Sequence, residues 1–148
     1  MPYAKYRNPY LDGAVAASRL MADRPFSFLP IYQEAIEDAD PLSEISVAQL
    51  PNSVALLGGE DDRLWPSANM GREIAERMRA SGKNCVVEIF YEDVGHRMNY
   101  EQWPRGGKAD LFVMGGSRDP SYLAGSDAWA MLIYFFDKTL IKNESFCD

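Results

Sequence analysis

The sequence predicts an α/β fold of parallel strands with flanking helices, and three consecutive stretches predict it. Ser53-Val54-Ala55-Leu56-Leu57 is a continuous apolar run stopped by Gly58-Gly59, the pattern of a strand buried on both faces. Cys85-Val86-Val87-Glu88-Ile89-Phe90-Tyr91 is β-branched and aromatic, which suits a second strand. Between them Pro66-Ser67 opens a segment with Met70, Ile74, Ala75 and Met78 on one stripe, Arg72, Glu73, Glu76, Arg77 and Arg79 largely off it, and Gly82 at its end. That is an amphipathic helix with a glycine stop. A strand-helix-strand crossover makes the two strands parallel and sets the helix on one face of the sheet. The loops leaving both strands then open at the same sheet edge.

The other elements follow in chain order. Residues 1–23 are rich in Tyr and Ala without a clean period; Tyr3, Tyr6, Tyr10 and the apolar stretch Ala14 to Met21 read as a separate segment that packs on the chain or on a partner. Residues 24–148 form the domain proper. Pro30 opens a short helix at its first turn, where a missing N–H costs nothing, and Ile31, Ala35 and Ala39 recur every four residues until Pro41 stops it. From Asn99 to Pro120 runs a loop rich in glycine and charge, with a short apolar piece, Leu111-Phe112-Val113-Met114, as a candidate neighbour for the strands. Ser126 to Ile141 carries Trp129, Ile133, Phe136 and Leu140 at spacings of three and four, a long C-terminal helix packed on the sheet.

At 148 residues, 47% of them hydrophobic and 12% aromatic, the chain builds the core of one domain. A net charge of -7, with Lys and Arg spread singly, excludes a nucleic-acid surface, which needs clustered cations. Two cysteines, Cys85 inside an apolar run and Cys147 in the tail, point to a reducing compartment without a disulfide, and Cys85 reads as structural. With no basic region ahead of an apolar one and no apolar stretch near the ~20 residues of a membrane span, the expectation is a cytoplasmic protein. A single histidine and no cysteine pair exclude metal-ligand spacing, and no phosphate-cradling glycine loop is present. No cofactor is expected.

The residues that carry chemistry lie just past the two strands. Asp62 is three residues beyond Gly59, and His96, the only histidine, is five beyond Tyr91. Ligands of open α/β sheets sit at the carboxyl ends of the strands, where these two loops meet. A buried carboxylate there fixes the imidazole tautomer and stabilises the imidazolium formed when the ring takes a proton from a nucleophile. Gly95 lets the backbone turn tightly enough to aim the ring inward. Each residue alone has a plainer reading, a lone surface or core histidine and an Asp-rich turn with a helix cap. Their joint placement in one strand-helix-strand unit favours the chemical one. Asp61 is the second candidate for the acid, and Trp65 either walls a substrate pocket or packs at the entrance of the helix. No Gly-x-Ser-x-Gly occurs, and Gly115-Gly116-Ser117 is a poor nucleophile site because Arg118-Asp119-Pro120 does not supply the small residues of a nucleophile elbow.

The string from Ser53 to Ser67, with Gly58-Gly59-Glu60-Asp61-Asp62-Arg63-Leu64-Trp65-Pro66-Ser67 at its heart, resembles the acid-loop signature of a known family. This is the acyl-CoA thioester hydrolase and bile acid-CoA:amino acid N-acyltransferase C-terminal family of the α/β-hydrolase superfamily, near the dienelactone hydrolases. Gly95-His96 resembles its histidine loop, and Ser126-Asp127-Ala128-Trp129 with Phe135-Phe136 resembles its final helix. The resemblance runs from Arg24 to Lys142 and implies the C-terminal portion of an α/β-hydrolase fold. It implies Asp62 as triad acid and His96 as general base. The family's Ser or Cys nucleophile sits on an elbow well upstream of the acid, so the chain is expected to hold a partial hydrolase domain beginning after that point.

Two functions compete. In one, the chain is part of a hydrolase that cleaves acyl-CoA thioesters or esters with a nucleophile from a partner chain, inactive alone. In the other it is a truncated, non-catalytic domain that binds a protein or an acyl ligand. In both, strands with bare edges invite self-association, a homodimer above all.

Overall fold

A computed structural model describes residues 27–40, 46–51, 53–98 and 112–147. Tyr3, Tyr6, Tyr10 and the stretch Ala14 to Met21 lie outside them. Helix α1 spans Leu29–Glu37 with Pro30 in its first turn and only Ile31 buried. A 3-10 turn, Val47–Gln49, which no sequence pattern announced, leads to strand β1, Ser53–Gly59. Helix α2, Ser67–Ala80, and strand β2, Cys85–Tyr91, complete the expected unit. Helix α3, Arg118–Phe136, continues into a π-helical turn, Asp137–Ile141.

The two strands pair in parallel, with Ser53 opposite Cys85 and Gly59 opposite Tyr91, so both end at one edge. Side chains alternate across a strand. A Cβ added to Gly71 of α2 would meet the Phe90 ring at 2.6 Å and Leu56 at 3.9 Å, and Arg79 of α2 pairs with Glu88. These even-numbered strand residues therefore face α2. Tyr91, on the other face, donates its hydroxyl to Asp127 Oδ2 of α3 at 2.7 Å. One helix thus covers each face. Burial first, and then the Asp127 carboxylate, push the Tyr91 phenol above its ordinary range and keep it a neutral donor.

Helix α2 buries Ala68, Gly71, Ala75 and Met78, while Met70, expected on the apolar stripe, is exposed. The buried stripe is rotated by one residue because Phe90 fills the space that Gly71 leaves. The helix ends as read: Gly82 has φ +84°, and the N–H of Lys83 returns to Met78 O at 3.0 Å. Arg77 and Arg79 in the last turn complement its dipole.

Several expectations are corrected. Helix α3 starts at Arg118, not Ser126, because Pro120 in the first turn needs no N–H partner, so Arg118 to Pro120, expected as loop, are helical; residues 99–111 of the expected loop lie outside the described residues. Its inward face is not the stripe of large residues. Trp129, Ile133, Phe136 and Leu140 are exposed, Trp129 by 67%, and Ser121, Ala124, Ala128 and Phe135 are buried. Small side chains let the helix approach β1 closely, and a helix apolar on all sides gives the 3.6-residue period nothing to discriminate. Nor do residues 112–115 add a strand; Gly116 makes a single antiparallel bridge to Val94. Among the described residues the sheet has two strands, and Ser53 to Leu57 are only half-buried, not enclosed on both faces.

The cysteines are a further correction. Cys85 and Cys147 form a disulfide, with Cα atoms 5.5 Å apart. After the π-helical turn the tail folds back: Phe146 lies edge-on to Tyr134 at 5.4 Å and tilted against Phe135 at 5.2 Å, and its N–H approaches Ser53 Oγ at 3.5 Å. Ser53 is the register partner of Cys85, so this packing delivers Cys147 to its partner. Among the described residues, no helix is long and apolar enough to cross a membrane.

Candidate active site

Three loops meet at the carboxyl edge of the sheet: residues 60–66 after β1, 92–98 after β2, and 112–117 ahead of α3. Backbone hydrogen bonds weld them. Glu60 N–H donates to Tyr91 O at 3.0 Å, Asp61 N–H to Val94 O at 3.0 Å and Ser117 N–H to Asp93 O at 2.8 Å. Met114 O accepts from both His96 N–H at 2.8 Å and Arg63 N–H at 3.3 Å, joining the acid and histidine loops through one atom.

The approach is close enough to dictate glycine. A Cβ on Gly59 would fall 2.2 Å from Val94 O, and one on Gly95 would fall 2.1 Å from Gly115 O. Gly95 is thus required by contact with a neighbouring turn, a stronger demand than the local freedom its place before His96 suggested. Helix α1 is fastened to the acid loop by Leu29 N–H and the Ser27 hydroxyl, both donating to Arg63 O, at 3.2 and 2.6 Å.

On this frame His96 Nδ1 lies 3.1 Å from Asp62 Oδ2. Asp62 is 5% exposed. Its Oδ1 accepts from the N–H groups of Leu64, at 2.8 Å, and Trp65, at 3.2 Å, an Asx turn that aims the other oxygen at the ring. Burial pushes the Asp62 carboxyl up, but hydrogen bonds from His96, Leu64, Ser67 and Trp65 outweigh it and hold it below the ordinary aspartate value. The Ser67 hydroxyl also reaches Gly59 O at 3.3 Å. An ionised carboxylate only accepts, so chemistry assigns the ring proton to Nδ1 and leaves Nε2 of neutral His96 as a lone-pair base.

Trp65 stands against the imidazole on one side and meets Tyr32 of α1 on the other, 5.7 Å away and edge-on. Asp61 does not reach the ring; its carboxylate takes Arg63 Nε at 2.7 Å and Gly116 N–H at 2.8 Å. Met114, Gly115, Gly116 and Asp127 were named in the sequence but not in the roles they hold here. Two adjacent glycines ahead of a Pro-containing helix start were the one available signal. Among the described residues, no group of three or more His, Cys, Asp or Glu is arranged to hold a metal.

The family model for the C-terminal domain of BAAT and acyl-CoA thioester hydrolases matches residues 9–142. The chain belongs to this family. Acyl-coenzyme A thioesterase 2, mitochondrial, of Rattus norvegicus is 33% identical over 107 residues, which cover 68% of this chain and 24% of that protein. Acyl-coenzyme A thioesterase 1 of Mus musculus is 33% identical over 107 residues, covering 68% and 26%. Acyl-coenzyme A thioesterase 6 of Mus musculus is 28% identical over 116 residues, covering 74% and 28%. The chain spans about a quarter of the length of these curated relatives. The acyl-CoA thioester hydrolase C-terminal match includes the acid loop, the histidine loop and α3, the segments that build the edge described above.

Proposed function

We propose that this chain supplies the general base and its orienting acid to an acyl-CoA thioesterase-like hydrolase, with His96 and Asp62 in those roles and Trp65 lining the substrate side. The observation that carries the reading is the 3.1 Å contact between Nδ1 and a buried, doubly hydrogen-bonded carboxylate. Family membership supports the thioester or ester as substrate class. In the reaction, Nε2 takes the proton of a Ser or Cys nucleophile as it attacks the acyl carbon, and Asp62 stabilises the imidazolium. The ring then protonates the departing thiolate. Water, deprotonated by the same nitrogen, attacks the acyl carbon, the bond to the Ser or Cys breaks, the imidazolium returns its proton to that leaving group as the acid departs, and backbone N–H groups hold the oxyanion in both steps.

The sequence contains no Gly-x-Ser-x-Gly, so the nucleophile in this proposal belongs to another segment or a partner chain. The cytoplasmic expectation rested in part on unpaired cysteines, and the Cys85–Cys147 bond removes that part; the proposal carries no compartment. The test measures hydrolysis of acyl-CoA and p-nitrophenyl esters by the purified chain, alone and co-expressed with a hydrolase segment bearing Gly-x-Ser-x-Gly. Alone, the chain turns over neither substrate, since a base and an acid without a nucleophile forfeit on the order of 10⁴-fold or more. Activity that appears on co-expression and vanishes in His96→Ala supports the reading; activity indifferent to His96→Ala sinks it.

A second reading, a non-catalytic domain that binds another chain, is favoured by the half-open β1 and the exposed Trp129, Ile133, Phe136 and Leu140. Self-association as a homodimer satisfies the same surfaces. Light scattering behind size-exclusion chromatography should report about twice the chain mass at micromolar concentration; a stable monomer that binds no hydrophobic dye counts against it.

A further inference from the structure

We infer that Asp61 is a positioning residue for His96, acting through the Gly115-Gly116 turn without touching the imidazole. The inference rests on the Asp62–His96 reading and extends it to the neighbouring carboxylate.

Gly115 and Gly116 are both left-handed, with φ +72° and +70°. Such residues belong to no helix or strand, so the turn is held by the bridge from Gly116 to Val94, by the backbone bonds of Met114 and Ser117 on either side, and by one side chain. Asp61 Oδ2 accepts the Gly116 N–H at 2.8 Å, a bond to a charged acceptor and hence of the stronger kind. Asp61 is itself anchored on the histidine loop, its own N–H on Val94 O. Its backbone carbonyl also faces Gly115 so closely that a Cβ there would lie 1.7 Å away. A Cβ on Gly116 would lie 2.1 Å from the Gly95 nitrogen. Nothing larger than the two glycines therefore fits between the acid and histidine loops.

The consequence falls on His96 because of Met114. Its carbonyl precedes the turn and receives the His96 N–H at 2.8 Å. The position of that carbonyl sets the height of the His96 backbone, and with it the reach of Nδ1 to Asp62. Asp61 closes the circuit: acid loop to Gly116, Gly116 to Val94, Met114 to His96, His96 back to Asp62. Arg63 Nε on Oδ1 keeps the Asp61 carboxylate turned toward Gly116. The adjacent acids thus divide the work, Asp62 on the ring and Asp61 on the loop that carries it.

The experiment uses the whole chain, purified with a tag free of histidine, so that its one histidine gives the only imidazole signals in a ¹⁵N spectrum. The wild type shows a single Nδ1-protonated tautomer. In Asp61→Ala, Gly116 amide exchange speeds up on the order of ten- to a hundredfold, the loss of one hydrogen bond to a charged group, and the His96 ring becomes a mixture of tautomers. Asp61→Asn, which keeps an acceptor oxygen for Gly116, restores most of both signals. Should Asp61→Ala fail to fold, Asp61→Ser, too short to reach Gly116, takes its place with the same expectation. An unchanged tautomer in the Ala or Ser variant, or an Asn variant as disrupted as they are, overturns the role of Asp61 while leaving the Asp62–His96 pair intact. A wild type without the Nδ1 tautomer overturns that pair, and this inference with it.

Discussion

Trp65 meets the His96 ring edge-on, with centroids 4.5 Å apart and planes at 83°, while its own backbone N–H holds the Asp62 carboxylate. One residue thus contacts the acid through its main chain and the base through its side chain. Trp65→Ala keeps the first contact and removes the second, together with the edge-on contact to Tyr32. The variant is expected to lose about 1–2 kcal/mol of unfolding free energy, the worth of an aromatic pair plus part of the buried ring, since Trp65 stays partly exposed. Trp65→Phe recovers most of it. Urea denaturation at neutral pH provides the measurement, and a loss under a few tenths in Trp65→Ala would mean that the two rings merely lie near one another.

Asp62 makes stability depend on acid in a definite direction. Its carboxyl is held below the ordinary value of 3.8, so the folded chain binds its proton less readily than the unfolded chain. Its contribution is complete above the unfolded value and is lost as pH falls through the lower, folded one. Asp62→Asn keeps the shape but cannot ionise. The stability gap between wild type and Asp62→Asn should therefore be widest near pH 7 and shrink below about pH 4. Paired denaturation curves at several pH values test this, and a gap that widens toward acid would show that burial, not hydrogen bonding, governs the group.

The Cys85–Cys147 bond closes a loop with a sequence separation of 62 residues. By chain entropy such a crosslink stabilises by about 4 kcal/mol. Cys147→Ser should lower stability by about that amount, with Cys85→Ser equal or worse because Cys85 is buried. Because Cys85 opens β2 and His96 follows its far end, the imidazole signals should survive in Cys147→Ser at temperatures where the chain remains folded. Their loss there would place the tail in the machinery of the edge.

How much of this was legible follows from what each signal encodes. The bounds of β2 were read as observed because the charged Glu92-Asp93 interrupts an apolar run, whereas β1 starts at Ser53 as read but runs on through Gly58-Gly59, the pair read as its stop, since glycine still pairs in a parallel ladder. The parallel pairing followed from the helix between them. Helix α3 was placed but faced the wrong way: Trp129, Ile133, Phe136 and Leu140 satisfy a helical period as well as Ala124, Ala128 and Phe135 do, and only the sheet chooses between them. The acid loop was legible in type, since Asp61-Asp62 after buried glycines has few uses, but the division of labour between the two acids depends on where Gly116 arrives from a distant part of the chain. The disulfide was illegible for the same reason, because nothing local to Cys147 states that Phe146 will turn back onto Phe135.

The last prediction separates glycines needed for space from glycines needed for backbone freedom. Gly95 has backbone oxygens of Gly115 and Met114 at 2.1 and 2.4 Å from where a Cβ would stand, and neither can yield without moving the histidine loop. Gly82, at φ +84°, has nothing within 4 Å of its missing Cβ. Gly82→Ala should therefore cost only the left-handed backbone penalty, about 1–2 kcal/mol, and leave the His96 spectrum unaltered. Gly95→Ala should cost about 3 kcal/mol or more, because overpacking against rigid backbone adds to the displacement of the loop, and should shift the imidazole signals in whatever fraction still folds. Thermal unfolding and ¹⁵N spectra of the two variants side by side decide the matter: equal losses, or an undisturbed His96 in Gly95→Ala, would show that the histidine loop has room that its contacts with Gly115 deny.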